Sequence, residues 1–75
     1  MNLQQLKIII EAKKNDFNLT QVARALFTSQ SGISKAIKEL EEELSFEIFN
    51  RRGKRLHGLT EPGKSVHLYL SLIHI

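Results

Sequence analysis

The sequence predicts a mainly α-helical domain, with a three-helix core, a small β-hairpin and the start of a fourth helix. Aliphatic residues recur at helical spacing in three successive segments, and short polar breaks separate those segments. Two short, partly apolar runs with a basic run between them follow the third segment. At 75 residues the chain can build one domain around a single thin core. This order of elements is that of a winged helix-turn-helix, in which the hairpin is the wing.

The first two helices are predicted from their apolar spacing and from the residues that start them. Asn18 with Gln21 three residues later resembles a capping box that starts the second helix. The small Ala23 lies where the second and third helices would cross closely, and a larger side chain there would push them apart. The first helix spans residues 2–14, and its aliphatic residues at helical spacing are Leu3, Leu6, Ile9 and Ile10.

The third helix is predicted to begin after the polar residue Ser29, which is well suited to cap it, and to end near Leu44. Ser45 follows, where a helix end prefers a glycine in the left-handed conformation, so we expect Ser45 to adopt that conformation at some cost. The apolar stripe of this helix consists of Ile33, Ile37, Leu40 and Leu44.

The hairpin and the last helix are predicted from the next residues. The runs 47–50 and 56–59 form the two strands, and the segment RRGKR, residues 51–55, forms a basic tip. Thr60 then caps a final helix, in which Pro62 is tolerated because it lies in the first turn.

Composition limits the classes of function. The chain has no cysteine, so it has no disulfide and no thiolate metal ligand, which suits a reducing cytosol. It shows neither the apolar run of a signal peptide nor a segment long enough to span a bilayer, so we expect a cytoplasmic domain without membrane association. The three histidines follow no metal-ligand pattern, and we expect no catalytic site, no metal and no cofactor.

The charges are separated along the chain. The net charge is +3, from 11 basic and 8 acidic side chains, which by itself is a weak indication of a polyanionic partner. An acidic block is followed immediately by a basic one, and this separation predicts a polarised surface. The acidic block is Glu39, Glu41, Glu42, Glu43 and Glu47, and the basic block is Arg51, Arg52, Lys54, Arg55 and Lys64.

The third helix carries the polar residues that a DNA surface would require. Short serine hydroxyls allow close approach to phosphates, and a helix N-terminus favours anions. The glutamates in its second half would be repelled by DNA, so the helix is expected to enter the major groove with its N-terminus first. For Gln30, base reading through the amide, best matched to adenine, stands beside an ordinary role at a helix start. The residues predicted to face DNA are Gln30, Ser31, Ser34, Lys35 and Lys38.

The basic run has three interpretations: a wing that reaches phosphates or the minor groove, a localisation-type patch, or an ordinary charged turn. Its position between two short strands and after a helix-turn-helix pattern favours the wing. The wing residues predicted to contact DNA are Arg51, Arg52, Lys54 and Arg55.

A family resemblance covers residues 1–66. In order along the chain, the residues that carry it are Ala23, Leu26, SQSGIS at 29–34, Ile37, LEEEL at 40–44, EIF at 47–49, Arg51 and LTEPG at 59–63. This combination resembles the N-terminal DNA-binding domain of LysR-type transcriptional regulators. The stretches 18–35 and 53–64 are similar in particular to the subgroup that activates cysteine biosynthesis and sulfur assimilation genes. Proline is common in the family where this chain has Ser31, and glycine is usual at Ser45.

The resemblance implies roles for particular residues. Gln30, Ser31, Ser34 and Lys35 would face DNA from the recognition helix, Arg51 would contact a phosphate, and Arg55 would serve the wing. It also implies a winged helix-turn-helix domain at residues 1–60 and a truncated dimerisation linker helix at residues 61–75. The family joins this domain to a longer effector-binding domain, so a small-molecule inducer site is expected to be absent from this chain.

The end of the chain carries two further expectations. Its last residues, LSLIHI, resemble translated sequencing-adapter read-through, which predicts a truncated gene model with a few non-native residues. An apolar stripe at helical spacing predicts a homodimer through the last helix, with two recognition helices in successive major grooves and a two-fold symmetric site on double-stranded DNA. The stripe consists of Leu68, Leu72 and Ile75.

Two other functions are compatible with the same sequence. A winged helix can serve as a protein-interaction module, in which the apolar tail or the acidic block docks a partner. A fragment of this kind would also inhibit a full-length regulator by forming mixed dimers with it. Binding to random duplex DNA at low salt discriminates DNA reading from a pure interaction module.

Overall fold

The computed structural model describes residues 2–53 and 55–73 of the chain. The predicted order of three helices, a hairpin and a last helix is confirmed. Two residues of the predicted binding sets, Lys54 and Ile75, lie outside the described residues. The elements are α1 (Leu3–Lys14), α2 (Leu19–Ala25), α3 (Gln30–Leu44), β1 (Phe49–Arg52), β2 (Arg55–Leu59) and α4 (Glu61–Leu72).

The helix starts follow the capping residues. Asn18 Oδ1 accepts a hydrogen bond from the Gln21 amide at 3.2 Å, and Ser29 Oγ accepts one from the Gly32 amide at 3.0 Å. The predicted caps of α2 and α3 are therefore confirmed. The reciprocal pair of bonds that defines a capping box forms instead at the start of α1, between Asn2 and Gln5, where it was not predicted.

All the elements contribute to a single core. The predicted stripe of α3 is confirmed, because Ile33, Ile37 and Leu40 are buried and Leu44 is partly buried. The prediction for α1 was wrong in part, since Leu3 is 56% exposed. Ile9 is buried, as predicted, and Leu6 and Ile10 are partly buried against the core. The other buried residues of α1 are Gln5, Ile8 and Ala12.

The turn between α2 and α3 holds the two helices close together. Ala23 is buried, as expected at a close crossing, and its carbonyl accepts a hydrogen bond from the Thr28 amide at 2.9 Å. Phe27 in this turn and Ser45 after α3 both have positive φ angles, of 57° and 64°. The left-handed conformation expected at Ser45 is confirmed.

The hairpin begins later than predicted. Residues 47 and 48 precede β1, because the Ile48 and Phe49 amides donate to the Glu41 carboxylate of α3, at 2.7 and 3.1 Å, at the point where pairing would start. The strands pair antiparallel, with an irregularity between Asn50 and Arg51. Arg51 and Arg52 therefore lie within β1 and Arg55 within β2, so the basic residues extend along the strands rather than only around the tip.

Helix α4 is anchored beside the start of β1. Thr60 caps it, as predicted, by accepting a hydrogen bond from the Gly63 amide at 3.0 Å. The Thr60 hydroxyl donates to the Glu47 carbonyl at 2.6 Å, and the Thr60 amide donates to the Ile48 carbonyl at 2.9 Å. Leu70 is buried in the core. In the part of the chain that the structure describes, no helix is long and apolar enough to cross a membrane.

Candidate nucleic-acid interface

The first half of α3 presents a continuous polar face. Gln30, Ser31, Ser34, Lys35 and Lys38 are all exposed, as the sequence predicted. The Ser29 and Ser31 hydroxyl oxygens lie 3.2 Å apart, so the cap of the helix also fixes the hydroxyl of Ser31. Short side chains at the tip leave room for another backbone to approach closely, and the lysines lie further along the same helix.

Gln30 and Arg55 line one cleft, although they come from different elements. Gln30 begins α3 and Arg55 begins β2 of the wing. The cleft has a volume of about 220 Å³, and residues at the start of α2 also line it. The structure therefore brings together the residue predicted to read a base and a residue predicted to serve the wing. The other lining residues are Phe17, Asn18, Leu19, Thr20 and Leu56.

A second cleft, of about 390 Å³, adjoins the first on the wing side. Arg55 lines both clefts, and Arg52 lines the second. Arg52 and Arg55 are also direct partners across the hairpin. Like charges directly opposite each other destabilise a strand pair, so the pair Arg52–Arg55 concentrates positive charge at a cost to the hairpin.

Arg51 forms an ion pair with Glu41 of α3. Its Nη2 donates to Glu41 Oε1 at 2.7 Å, and the Arg51 and Glu41 side chains are 39% and 10% exposed. Arg51 pairs across the hairpin with the buried Leu56, which directs it towards the body of the domain. The predicted basic set is thus divided between an ion-paired Arg51 and the residues Arg52 and Arg55 at the clefts. Lys64, further along the chain, pairs with Glu61 at 3.3 Å.

The interpretation of the acidic block was wrong for Glu41. With the other glutamates in the second half of α3, Glu41 was expected to be repelled by DNA, which requires an exposed carboxylate, but its carboxylate is mostly buried against β1. Glu39 and Glu42 are exposed, as expected. Because the partners of Glu41 lie seven to ten residues away, helical periodicity alone could not have identified this role.

Sequence reasoning also missed the residues that the turn between α1 and α2 contributes to the clefts. Asp16 and Phe17 have positive φ angles, of 52° and 63°, and line the second cleft beside Arg52. Asn18 and Thr20 line the first. One signal was available, since the first helix of a helix-turn-helix crosses the DNA backbone, and the start of α2 was predicted correctly.

Helix α4 exposes apolar side chains in its second half. Leu68 and Leu72 are 61% and 69% exposed, and Tyr69 is also exposed. Beside them lies an apolar groove lined by residues that include Leu6, Leu44 and Val66. Burial, and secondly the charge of Lys13, lowers the pKa of His67 on this helix from its ordinary value. Among the described residues, no group of three His, Cys, Asp or Glu side chains could hold a metal ion.

Comparison with known proteins finds a family model that spans most of the chain. The family model described as bacterial regulatory helix-turn-helix protein, lysR family, matches residues 3–64. The chain is 68% identical to the transcriptional regulator Cbl of Escherichia coli K12, and 58% identical to the transcriptional regulator CysB of Burkholderia cenocepacia, over 66 residues in each case. Each match covers 88% of this chain and 21% of the relative, so the chain spans about a fifth of the length of these curated relatives.

One of the similar solved structures is a complex with DNA. The chain superposes on the DNA-binding domain of BenM, in its crystal structure with catB site 1 DNA, with a TM-score of 0.84. The sequences are 25% identical, and the match covers 97% of this chain and 79% of that chain. The predicted winged helix-turn-helix and the resemblance to LysR-type regulators are confirmed. The relatives are transcriptional regulators, so the expectation that the chain is not an enzyme is confirmed as well.

Proposed function

Because the chain belongs to the LysR family of bacterial regulatory helix-turn-helix proteins, we propose that it reads duplex DNA for a transcriptional regulator of cysteine and sulfur metabolism genes. The cleft that Gln30 shares with Arg55 carries the proposal. It unites the start of the recognition helix with the wing, on the side where α3 presents its exposed polar residues. Such a regulator acts on the chromosome, so we assign it to the cytoplasm.

Gln30 reads a base and the serines beside it hold the backbone. A glutamine amide both donates and accepts, which matches the N6 and N7 edge of adenine in the major groove. Ser31 and Ser34 are exposed on the same helix and offer hydroxyls to phosphates, and Lys35 and Lys38 add positive charge further along. Glu39 is exposed in the second half of α3 and is repelled by DNA, which keeps that half out of the groove.

The wing supplies affinity that does not depend on sequence. Arg52 and Arg55 face each other across the hairpin, and a phosphate between or beside them would relieve their repulsion. Lys54 belongs to the same proposed set by its position in the sequence. Arg51, held by Glu41, adds a phosphate contact through the part of its guanidinium that remains exposed.

Two copies bind through α4. Leu68 and Leu72 are exposed apolar side chains one helical turn apart, and Ile75 extends the spacing in the sequence. Covering this surface with a second copy removes it from water and presents two recognition helices to a two-fold symmetric site. The alternative, a winged-helix protein-interaction module, is not favoured, because it gives no role to the pair Arg52–Arg55 or to the cleft at Gln30.

Binding to a random-sequence duplex at increasing salt tests the proposal. We expect tight binding at low salt that weakens steeply as salt rises. Replacing Arg55 with alanine should weaken binding and reduce the slope of the logarithm of the binding constant against the logarithm of salt concentration by about one. Lys13→Ala is the matched control, because Lys13 is an exposed residue of α1 that lines neither cleft. The slope for this variant should equal that of the wild type. No binding at low salt would contradict the proposal.

A further inference from the structure

Glu41 accepts three hydrogen bonds from residues of the wing and its entry. Its Oε2 accepts hydrogen bonds from the amides of Ile48 and Phe49, at 2.7 and 3.1 Å. Its Oε1 accepts one from Nη2 of Arg51 at 2.7 Å. One carboxylate of the recognition helix α3 therefore bonds the residues that enter β1 and a cation within β1.

A purely structural role accounts for only part of this arrangement. The two amide bonds fix where β1 starts, and an uncharged acceptor could make them. The bond to Arg51 is different, because it joins two charges, and charge-assisted bonds of this length hold both partners in a defined geometry. Arg51 remains 39% exposed, so Glu41 engages one nitrogen and leaves other donors of the guanidinium open.

We infer that Glu41 is a positioning residue of the DNA-binding surface: it holds the Arg51 guanidinium at the base of the wing with its free donors directed to a phosphate. The inference rests on the proposed function. A long arginine side chain loses rotamer freedom when it binds a phosphate, and an arginine already held by a carboxylate has lost much of that freedom before DNA arrives. Glu41 thus favours DNA binding although it carries the same charge as DNA.

Simple electrostatics makes the opposite prediction, and this difference in sign makes the inference testable. Removing any negative charge near DNA should tighten binding to every sequence. If Glu41 positions Arg51, replacing Glu41 with glutamine should weaken binding, because the positioning is lost. Glutamine keeps an oxygen that can accept from the Ile48 and Phe49 amides, so the start of β1 is preserved.

The experiment measures dissociation constants for a random-sequence duplex at low salt. Four proteins are compared with the wild type: Glu41→Gln, Arg51→Gln, the double variant, and Glu42→Gln as the matched control. Glu42 is exposed on the same helix, next to Glu41, and its replacement removes the same charge. Thermal unfolding of each protein establishes that it is folded at the temperature of the binding measurement.

We expect Glu41→Gln to weaken binding about tenfold, a coupling typical of charged neighbours, and Glu42→Gln to leave binding unchanged or slightly tighter. In the Arg51→Gln background, Glu41→Gln should no longer weaken binding. Glu41→Gln binding as tightly as Glu42→Gln, or weakening binding equally with and without Arg51, would overturn the inference while the wild type still binds. Failure of the wild type to bind would overturn the proposed function, and this inference with it.

Arg51→Lys gives a second test that leaves Glu41 untouched. Lysine keeps the charge but is a point charge without a planar fork, so it cannot be held by Glu41 and face a phosphate in the same way. We expect it to bind the duplex nearly as weakly as Arg51→Gln does. Binding equal to that of the wild type would show that the positioned fork has no role.

Discussion

Gly63, in the first turn of α4, packs directly against the carbonyl group of Ile48. A Cβ on Gly63 would overlap the Ile48 oxygen and would lie 3.0 Å from its carbonyl carbon. The same oxygen accepts a hydrogen bond from the Thr60 amide, while the Ile48 amide donates to Glu41 of α3. The position of the start of α4 is therefore fixed by the backbone groups of one buried residue, Ile48.

Gly63→Ala should destabilise the fold by about 1–3 kcal/mol, because the added methyl group must displace backbone rather than a flexible side chain. Urea unfolding followed by circular dichroism measures the change. Ser65→Ala, at an exposed position of the same helix, is the control and should change stability by less than about 0.5 kcal/mol. Equal stability of Gly63→Ala and the wild type would show that α4 does not approach Ile48 as closely as described.

Ser45→Gly should stabilise the domain by about 0.5–1 kcal/mol. Ser45 has a φ angle of 64° after the last residue of α3, and a Cβ is unfavourable in this conformation. The gain is partly offset, because glycine loses more backbone freedom on folding. Ser45→Ala is the control that removes the hydroxyl and keeps the Cβ. If alanine raised the midpoint of thermal unfolding as much as glycine, the strain at this residue would not be the cause.

Leu72→Asp should abolish self-association and leave the fold intact, because the Leu72 side chain is 69% exposed in the single chain. A charge placed in an apolar contact between two copies would lose its hydration without a partner. Sedimentation across a range of concentrations measures the oligomeric state, and circular dichroism checks the fold. Ser71→Asp, at the neighbouring exposed position, should behave as the wild type. A Leu72→Asp protein that still self-associates would place the dimer contact elsewhere.

Local signals allowed the helix starts to be predicted, and long-range contacts limited the rest. Ser29 and Thr60 cap their helices through the amide three residues later, so short patterns are sufficient to find them. The buried face of α1 was harder to predict, because three consecutive isoleucines, residues 8–10, fit several helical faces.

The start of the wing could not be predicted either, because it depends on a long-range contact. Pairing begins at Phe49 rather than at Glu47, since Glu41, seven residues before Ile48, binds the Ile48 amide, and no strand pattern contains that information. For the candidate site, the exposed face of α3 followed from helical spacing. The cleft shared by Gln30 and Arg55 did not, because it exists only once the wing has packed beside the start of α2.

Base reading by Gln30 is the central claim, and selection from a pool of randomised duplexes tests it most directly. The wild type should enrich a two-fold symmetric motif that contains adenine. Gln30→Ala should then lose about 1–3 kcal/mol of binding free energy on the enriched duplex and little on random duplex. Salt-sensitive binding without any enriched motif, or equal losses on both duplexes, would contradict the claim and leave Gln30 as a residue of the helix start alone.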